Sequence, residues 1–230
     1  MLRPASRSRA PFLVLDFDST LAGVESLDAL FGQVMAELAP EGRALLEARF
    51  QALTDAGMEG ERSQADTLRE RLALFPAGRP HRADVAGAAA HVSGCLAPSA
   101  LRQAQAFRAH TSGLLVVSGG FHELITPAVV RLGIPGDRVV AHAFRPAAPD
   151  PPEARDAPDE SDSPGWGAPG TPLELDPDTP MARGGKVGAV RALLEGGRIP
   201  RERPLWVVGD GATDLELRTA GLAERFVAFT

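Results

Sequence analysis

Three short apolar runs constrain this chain most, because each breaks off abruptly at polar or glycine residues. They are residues 12–15 before Asp16, residues 114–117 before Ser118, and residues 205–208 before Gly209 and Asp210. Runs of this length, rich in Val and Leu and bounded by turn signals, suit parallel strands covered on both faces. Helical spacing fills the intervals between them. The pattern therefore predicts an α/β fold, a doubly wound, Rossmann-like parallel sheet with helices on both sides. In such sheets ligands bind beyond the carboxyl ends of the strands, and all three runs place their polar residues at that edge.

Between the first two runs, Leu27, Leu30, Phe31, Val34, Met35 and Leu38 recur at helical spacing, giving one continuous apolar stripe. Leu45, Leu46, Phe50 and Leu53 predict a second helix, and Leu68, Leu72 and Phe75 a third. One crossover does not need so much helix. The expected division is an α/β core of residues 10–24 and 94–230, with a small helical cap of residues 25–93 inserted over the strand ends. Residues 145–170 differ in kind: Pro, Asp, Glu, Ser and Gly dominate, and Trp166 is the exception. Such a stretch cannot bury enough surface to offset its ordering entropy, so a flexible insert within the core is expected there. A further helix is expected to open at Gly184-Gly185-Lys186 and run through Leu194.

A net charge of −6 over 230 residues argues against nucleic acid or an anionic membrane as a partner, and no apolar run of about 18 residues spans a bilayer. Cys95 has no second cysteine to pair with, and no Cys/His cluster has zinc-ligand spacing. His81, His91, His110, His122 and His142 are scattered and read as surface or packing residues. Residues 1–11 are Arg-rich without the apolar stretch of a secretory signal, and the expected location is the cytoplasm. An anionic substrate must then be drawn by local positive charge. Of 24 basic residues, Lys186 alone is a lysine. In a chain otherwise committed to arginine, a lone lysine either happened to remain or marks a place where a compact point charge is needed and a planar fork does not fit.

Residues two apart in an extended backbone project to the same side, so Asp16 and Asp18 share the cleft while Phe17 turns into the core. Two adjacent carboxylates repel, which a divalent cation relieves; a helix cap or turn would use the same residues. Ser118-Gly119-Gly120 offers a hydroxyl and closely approachable amides to an anion, although strand-to-helix turns in general carry such residues. Gly209-Asp210-Gly211-Ala212-Thr213-Asp214 brings further carboxylates to the edge, or forms a simple turn. Magnesium takes oxygen ligands at about 2.0–2.1 Å and keeps water and substrate among them, a need that Asp16, Asp18 and Asp210 meet. Lys186 and the helix N-termini would answer the charge that develops on a phosphoryl group in transfer.

Taken in order, these four motifs resemble those of the haloacid dehalogenase superfamily of phosphatases, and within it the phosphoserine phosphatases. Asp16-Phe-Asp-Ser-Thr-Leu21, Val117-Ser-Gly-Gly-Phe121, Gly184-Gly-Lys186 and Gly209-Asp-Gly-Ala-Thr-Asp214 carry the resemblance, which covers about residues 12 to 229 apart from the Pro/Asp-rich insert. It implies Mg²⁺-dependent hydrolysis of L-phosphoserine, the last step of serine biosynthesis, through an aspartyl-phosphate on Asp16. Asp16 is then nucleophile and metal ligand. Asp18 is general acid and base and binds the metal through its main-chain oxygen, Asp210 ligates it, and Asp214 supports it from behind. Ser118, the Gly119 amide and Lys186 hold the phosphoryl group, and Thr213 reaches the substrate region. Glu25 would meet the substrate's amino group, Arg71 its carboxylate, and Met58 its apolar part.

The residues leave other roles open for two of these, since Glu25 could be a first-turn helix acid and Arg71 could snorkel or pair with a carboxylate of the cap. Departures from the family pattern are Gln64 in place of a phenylalanine, the acidic insert, the missing Gly-rich lead-in to Leu114, and the end at Thr230 where a further strand and helix are expected. The partner expected is a small phosphomonoester, with a homodimer possible. Rival readings are a related phosphatase or phosphotransferase for another small phosphate ester, and a phosphoacceptor signalling module, which needs neither a cap nor Asp18.

Overall fold

The computed structural model describes residues 10–229 apart from 37, 59–60, 76–79 and 148–167, and leaves the side chains of residues 41 and 58 undescribed. In chain order the strands are β1 (Phe12–Leu15), β2 (Leu114–Phe121), β3 (Val139–His142), β4 (Phe144–Pro146), β5 (Leu173–Leu175), β6 (Leu205–Gly209) and β7 (Arg225–Ala228). The helices are α1 (Ser26–Met35), α2 (Pro40–Met58), α3 (Gln64–Leu72), α4 (Arg82–Gly94), α5 (Pro98–Arg102), α6 (Ala104–Ala109), α7 (His122–Arg131), α8 (Gly185–Glu195) and α9 (Ala212–Thr219).

Five strands form one sheet in the order β3-β2-β1-β6-β7, and every neighbouring pair is parallel. The three apolar runs are its central strands, and they are apolar throughout because both faces are covered. Alternation sorts their side chains. Leu114, Val116, Val139 and Ala141 face the side packed by α7 and α1, through Leu124, Ile125, Val129 and Leu30. Phe12, Val14, Leu115, Val117, Val140 and Val207 face α8 and α9, through Ala189, Val190, Leu193 and Leu217. The fold is doubly wound, as the strand pattern predicts.

The long segment between β1 and β2 is helical. On α1 the stripe Leu27, Leu30, Phe31 and Met35 is buried. Phe31 stacks on Phe50 of α2 at 3.9 Å between ring centroids and meets Phe75, just after α3, edge-on at 5.3 Å, so α1, α2 and the end of the α3 segment share one aromatic knot. The chain leaves the sheet at residues 21–23 and returns alongside itself at 95–97. Gly23 donates its amide to the Cys95 carbonyl, and Ala97 donates to Leu21, both at 2.9 Å. α4 packs on α7 and α1, which ties the helices before it into the same hydrophobic cluster as one face of the sheet.

Two strands carry less signal than the central three. β3 lies at one edge of the sheet, and β7, largely exposed, lies at the other. β4 and β5 pair antiparallel outside the main sheet and bring the flanks of the expected insert together; most of that insert, residues 148–167, lies outside the described residues. No helix among the described residues is long and apolar enough to cross a membrane.

Candidate active site

Asp16 follows β1 directly, at the carboxyl edge of the sheet, and its amide donates to the Val208 carbonyl of β6 at 2.8 Å. Asp16 is only 6% exposed. Phe17 is wholly buried, as alternation requires, and the amides of Thr20, Leu21 and Ala22 all turn back to its carbonyl. That tight turn places Ser19 in the left-handed region at φ 53°, a strained setting for a residue with a side chain. Its hydroxyl donates to Glu25 at 2.7 Å, which fixes a carboxylate at the head of α1.

Asp18 takes partners of its own. Its Oδ1 accepts from the Ser26 amide at 2.7 Å, and its Oδ2 from the Ser118 hydroxyl at 3.2 Å. The carboxylate cluster of the site is instead Asp16, Asp210 and Asp214, whose oxygens lie within 4.8 Å of one another. The Thr20 hydroxyl donates to Asp210 at 3.3 Å. The Asp18 side chain is not among these three, whereas Asp214, expected in a supporting role, is.

Lys186 lies against this cluster. Its Nζ is 2.7 Å from Asp16 Oδ1 and 2.7 Å from Asp214 Oδ1, and the residue is 8% exposed. Two glycines put it there. Gly184 and Gly185 both have positive φ, 150° and 58°, which few L-residues tolerate, and the turn they make starts α8 with the ammonium directed inward. Burial opposes the charge on Lys186, but Asp16 and Asp214 more than offset it, and the ammonium holds its proton above the ordinary lysine range.

The two aspartates of the first motif respond differently. Burial pushes Asp16 up to about 6 in spite of the adjacent Lys186, with Asp214 adding to the rise. Burial, then the charges of Glu25 and Asp16, push Asp18 up to about 7, a rise tempered by the Ser26 amide. One carboxyl is thus poised to hold a proton near neutral pH while its neighbour two residues away sits against an ammonium, the pairing that acid–base work requires.

Ser118 is fully buried and its Oγ accepts from the Gly120 amide at 2.9 Å. Gly119 beside it is exposed. Sequence pattern ends the strand at Val117; in the structure β2 continues through Phe121, which pairs with His142 after a register shift. Ser118 and Gly119 therefore lie on an irregular strand end and not in a strand-to-helix turn. The bulge redirects them toward the site, a common use of such irregularities.

Of the residues expected to read the substrate, Glu25 and Arg71 lie within electrostatic reach of one another. Arg71, on α3, has its guanidinium over the Phe50 ring at 5.6 Å, donates to the Thr54 hydroxyl at 3.3 Å, and lies 3.9 Å from Asp28 Oδ1. Burial lowers its pKa, and Asp28, Glu25 and Asp18 pull it back up, so Glu25 and Arg71 share one electrostatic neighbourhood. The Arg71 Nε has no partner. Thr213 is half-buried in the first turn of α9. Gln64, which stands in place of the family's phenylalanine, is the exposed first residue of α3. Met58 ends α2 and its side chain lies outside the described residues.

Sequence reasoning passed over Ser26 and Asp28. Asp28 is pushed up to about 6, chiefly by burial. Both are polar residues in the first turn of a helix, where caps and dipole partners are ordinary, and only their burial beside Asp18 and Arg71 distinguishes them.

The cluster fits a divalent cation. Three carboxylates against one ammonium leave a surplus of two negative charges, and Asp214 Oδ2 is buried without a partner. All donors are hard oxygens, which suits magnesium.

A model of the haloacid dehalogenase-like hydrolase family matches residues 13–160. Among curated proteins, the chloroplastic phosphoserine phosphatase of Arabidopsis thaliana is 28% identical over 215 residues, covering 93% of this chain; the chain spans 61% of that relative's length. Among solved structures, a phosphoserine phosphohydrolase-like protein from Francisella tularensis superposes with a TM-score of 0.71 at 25% identity, covering 96% of this chain and 87% of the other. A phospho-aspartyl intermediate analogue of phosphoserine phosphatase shares the fold, with a TM-score of 0.62 at 19% identity over 96% of this chain and 95% of the other.

Proposed function

The chain belongs to the haloacid dehalogenase-like hydrolase family, and from that premise we propose that it is a magnesium-dependent phosphatase whose substrate is L-phosphoserine. The observation that carries the reading is the buried ammonium of Lys186 between Asp16 and Asp214, with Asp210 beside them. A phosphomonoester dianion entering that edge meets a nucleophile, a positive point charge and the Ser118 hydroxyl together. The Arabidopsis relative and the Francisella structure, both phosphoserine phosphatases or like them by name, favour the same substrate class.

In the proposed reaction an Asp16 carboxylate oxygen attacks phosphorus in line with the ester oxygen. The P–O bond to the alcohol breaks as the new P–O bond forms, and Asp18 gives its proton to the departing oxygen. The resulting aspartyl-phosphate splits one hard displacement into two. Asp18, now a carboxylate, takes a proton from water as that water attacks phosphorus, and Asp16 leaves with the electron pair of the acyl-phosphate bond. Lys186, Ser118 and the Gly119 amide hold the phosphoryl oxygens throughout. Asp16, Asp210, Asp214 and the Asp18 carbonyl would hold magnesium, which when bound neutralises charge on the phosphoryl group and orients it.

Glu25 and Arg71 supply selectivity for an amino acid, one carboxylate for its ammonium and one guanidinium for its carboxylate. Release of inorganic phosphate from a panel of phosphoserine, phosphoethanolamine and sugar phosphates with Mg²⁺ tests this. Phosphoserine should rank first. Asp16→Asn should abolish turnover while leaving the fold intact, and Arg71→Ala should raise KM for phosphoserine about tenfold or more while leaving phosphoethanolamine less affected. Phosphoserine ranking below esters without a carboxylate would overturn the assignment of Arg71 and favour a related phosphatase for another small ester. A single phosphorylation without turnover would favour the signalling module.

A further inference from the structure

Asp18 needs a hydrogen-bond donor that the reaction takes away. Its Oδ2 accepts from the Ser118 hydroxyl at 3.2 Å. Ser118 has one hydroxyl proton, and under the proposed chemistry that proton is wanted by a phosphoryl oxygen. When Ser118 turns to the substrate, Asp18 Oδ2 loses that donor just as the carboxyl must stay aimed at the leaving oxygen.

A second hydroxyl lies in the same space. Ser26, the first residue of α1, is fully buried, and its Oγ, close enough to ease the rise in the Asp18 pKa, meets no partner in full hydrogen-bond geometry. Its amide already donates to Asp18 Oδ1 at 2.7 Å, so backbone and side chain of one residue flank one carboxyl. Gly120 shows how closely the groups converge. A Cβ built there would lie 2.5 Å from Ser26 Oγ, 2.8 Å from Asp18 Oδ2 and 3.2 Å from Ser118 Oγ. The three oxygens therefore surround a point that only a glycine leaves open. A fully buried hydroxyl without a well-formed hydrogen bond is unfavourable, and a role in another state of the site accounts for it.

We propose that Ser26 is a positioning residue for Asp18: as Ser118 turns its hydroxyl to the phosphoryl group, the Ser26 hydroxyl replaces it as donor to Asp18 Oδ2 and keeps the carboxyl directed at the departing oxygen. The same contact holds Asp18 in place when it takes a proton from water in the second half-reaction. This role rests on the phosphatase reading above and adds to it a residue that binds neither phosphate nor cation.

The test exploits the leaving group. An alkyl alkoxide leaves poorly without a proton, whereas p-nitrophenolate leaves without one, so a residue acting through the acid matters to the first ester and hardly to the second. Wild-type protein is first assayed with Mg²⁺ on phosphoserine, phosphoethanolamine and p-nitrophenyl phosphate; hydrolysis of none of them overturns the phosphatase reading and this role with it. For Ser26→Ala, kcat/KM on the best alkyl ester should fall about tenfold while that for p-nitrophenyl phosphate stays within about twofold. Ser26→Cys, close in volume but a weak donor, should resemble Ser26→Ala. Equal losses on both classes of ester would mark Ser26 as merely structural, and no loss on either would give it no part; both outcomes overturn the proposal. Unfolding transitions of the two variants, expected near wild type, exclude a loss of fold as the cause.

Discussion

Lys186 is held at 2.7 Å from two carboxylates and is largely buried, and each feature of that setting bears on what can replace it. A guanidinium carries the same charge but spreads it over a planar fork, too wide for a socket formed by single oxygens of Asp16 and Asp214. Lys186→Arg is expected to abolish phosphate release while the chain still folds. Lys186→Met removes the charge and leaves two buried carboxylates facing one another, and denaturant unfolding without added metal should show a loss of about 3 kcal/mol. An Arg variant with near wild-type turnover would contradict this account of the socket. At this scale the sequence was informative where a residue type was rare or its spacing tight: a lone lysine after paired glycines, two aspartates two apart. It was silent on Ser26 and Asp28, because a serine and an aspartate in a helix's first turn are what any helix start contains. Only the packing of β2 and α3 against that turn gives them other work.

Among the secondary-structure elements, α7 and β4 are joined by one group. Glu123, in the first turn of α7, accepts from the Phe144 amide of β4 at 3.1 Å. Burial pushes its carboxyl up to about 7 from an ordinary 4.5, with the charge of Asp176 adding to the rise. The folded chain thus keeps the Glu123 proton at pH values where the unfolded chain has lost it. Its contribution to stability is complete below about pH 4.5 and is lost as pH rises toward 7. Allowing for partial exposure, the change is on the order of 1–2 kcal/mol. Glu123→Gln keeps an acceptor for Phe144 and cannot titrate, so its unfolding free energy should vary less between pH 4.5 and 7 than that of wild type. Equal slopes in the two proteins would refute the link.

The central strands were legible because burial on both faces forces an unbroken apolar run. The edge strands were not. β7 reads Arg-Phe-Val-Ala with most of its side chains exposed, and β3 spends only four residues at the sheet's other margin. The extension of β2 through Ser-Gly-Gly-Phe was hidden for a different reason. Its glycines look like a turn, and the pairing of Phe121 with His142 is a long-range fact that no local pattern contains.

Across the whole molecule, the acidic cluster sets what the fold gains from its cation. Three carboxylates face one ammonium at the carboxyl edge of β1 and β6, and a ligand bound only by the folded chain stabilises it by mass action. Magnesium at a hundredfold excess over its dissociation constant should add about 2.7 kcal/mol, a rise in Tm of roughly 5–10 °C for a chain of this size. Asp210→Asn should shrink that shift, and a Tm indifferent to magnesium in the wild type would remove the cation from the site.

The concentration of basic charge on arginine has one more consequence. Enzymes that acetylate, methylate or conjugate a modifier to lysine find no target on the surface of these 230 residues, since their solitary ε-amine is sealed among aspartates. Any reagent that reached it would have passed through the substrate's own doorway, and would silence the protein by the same act that marked it.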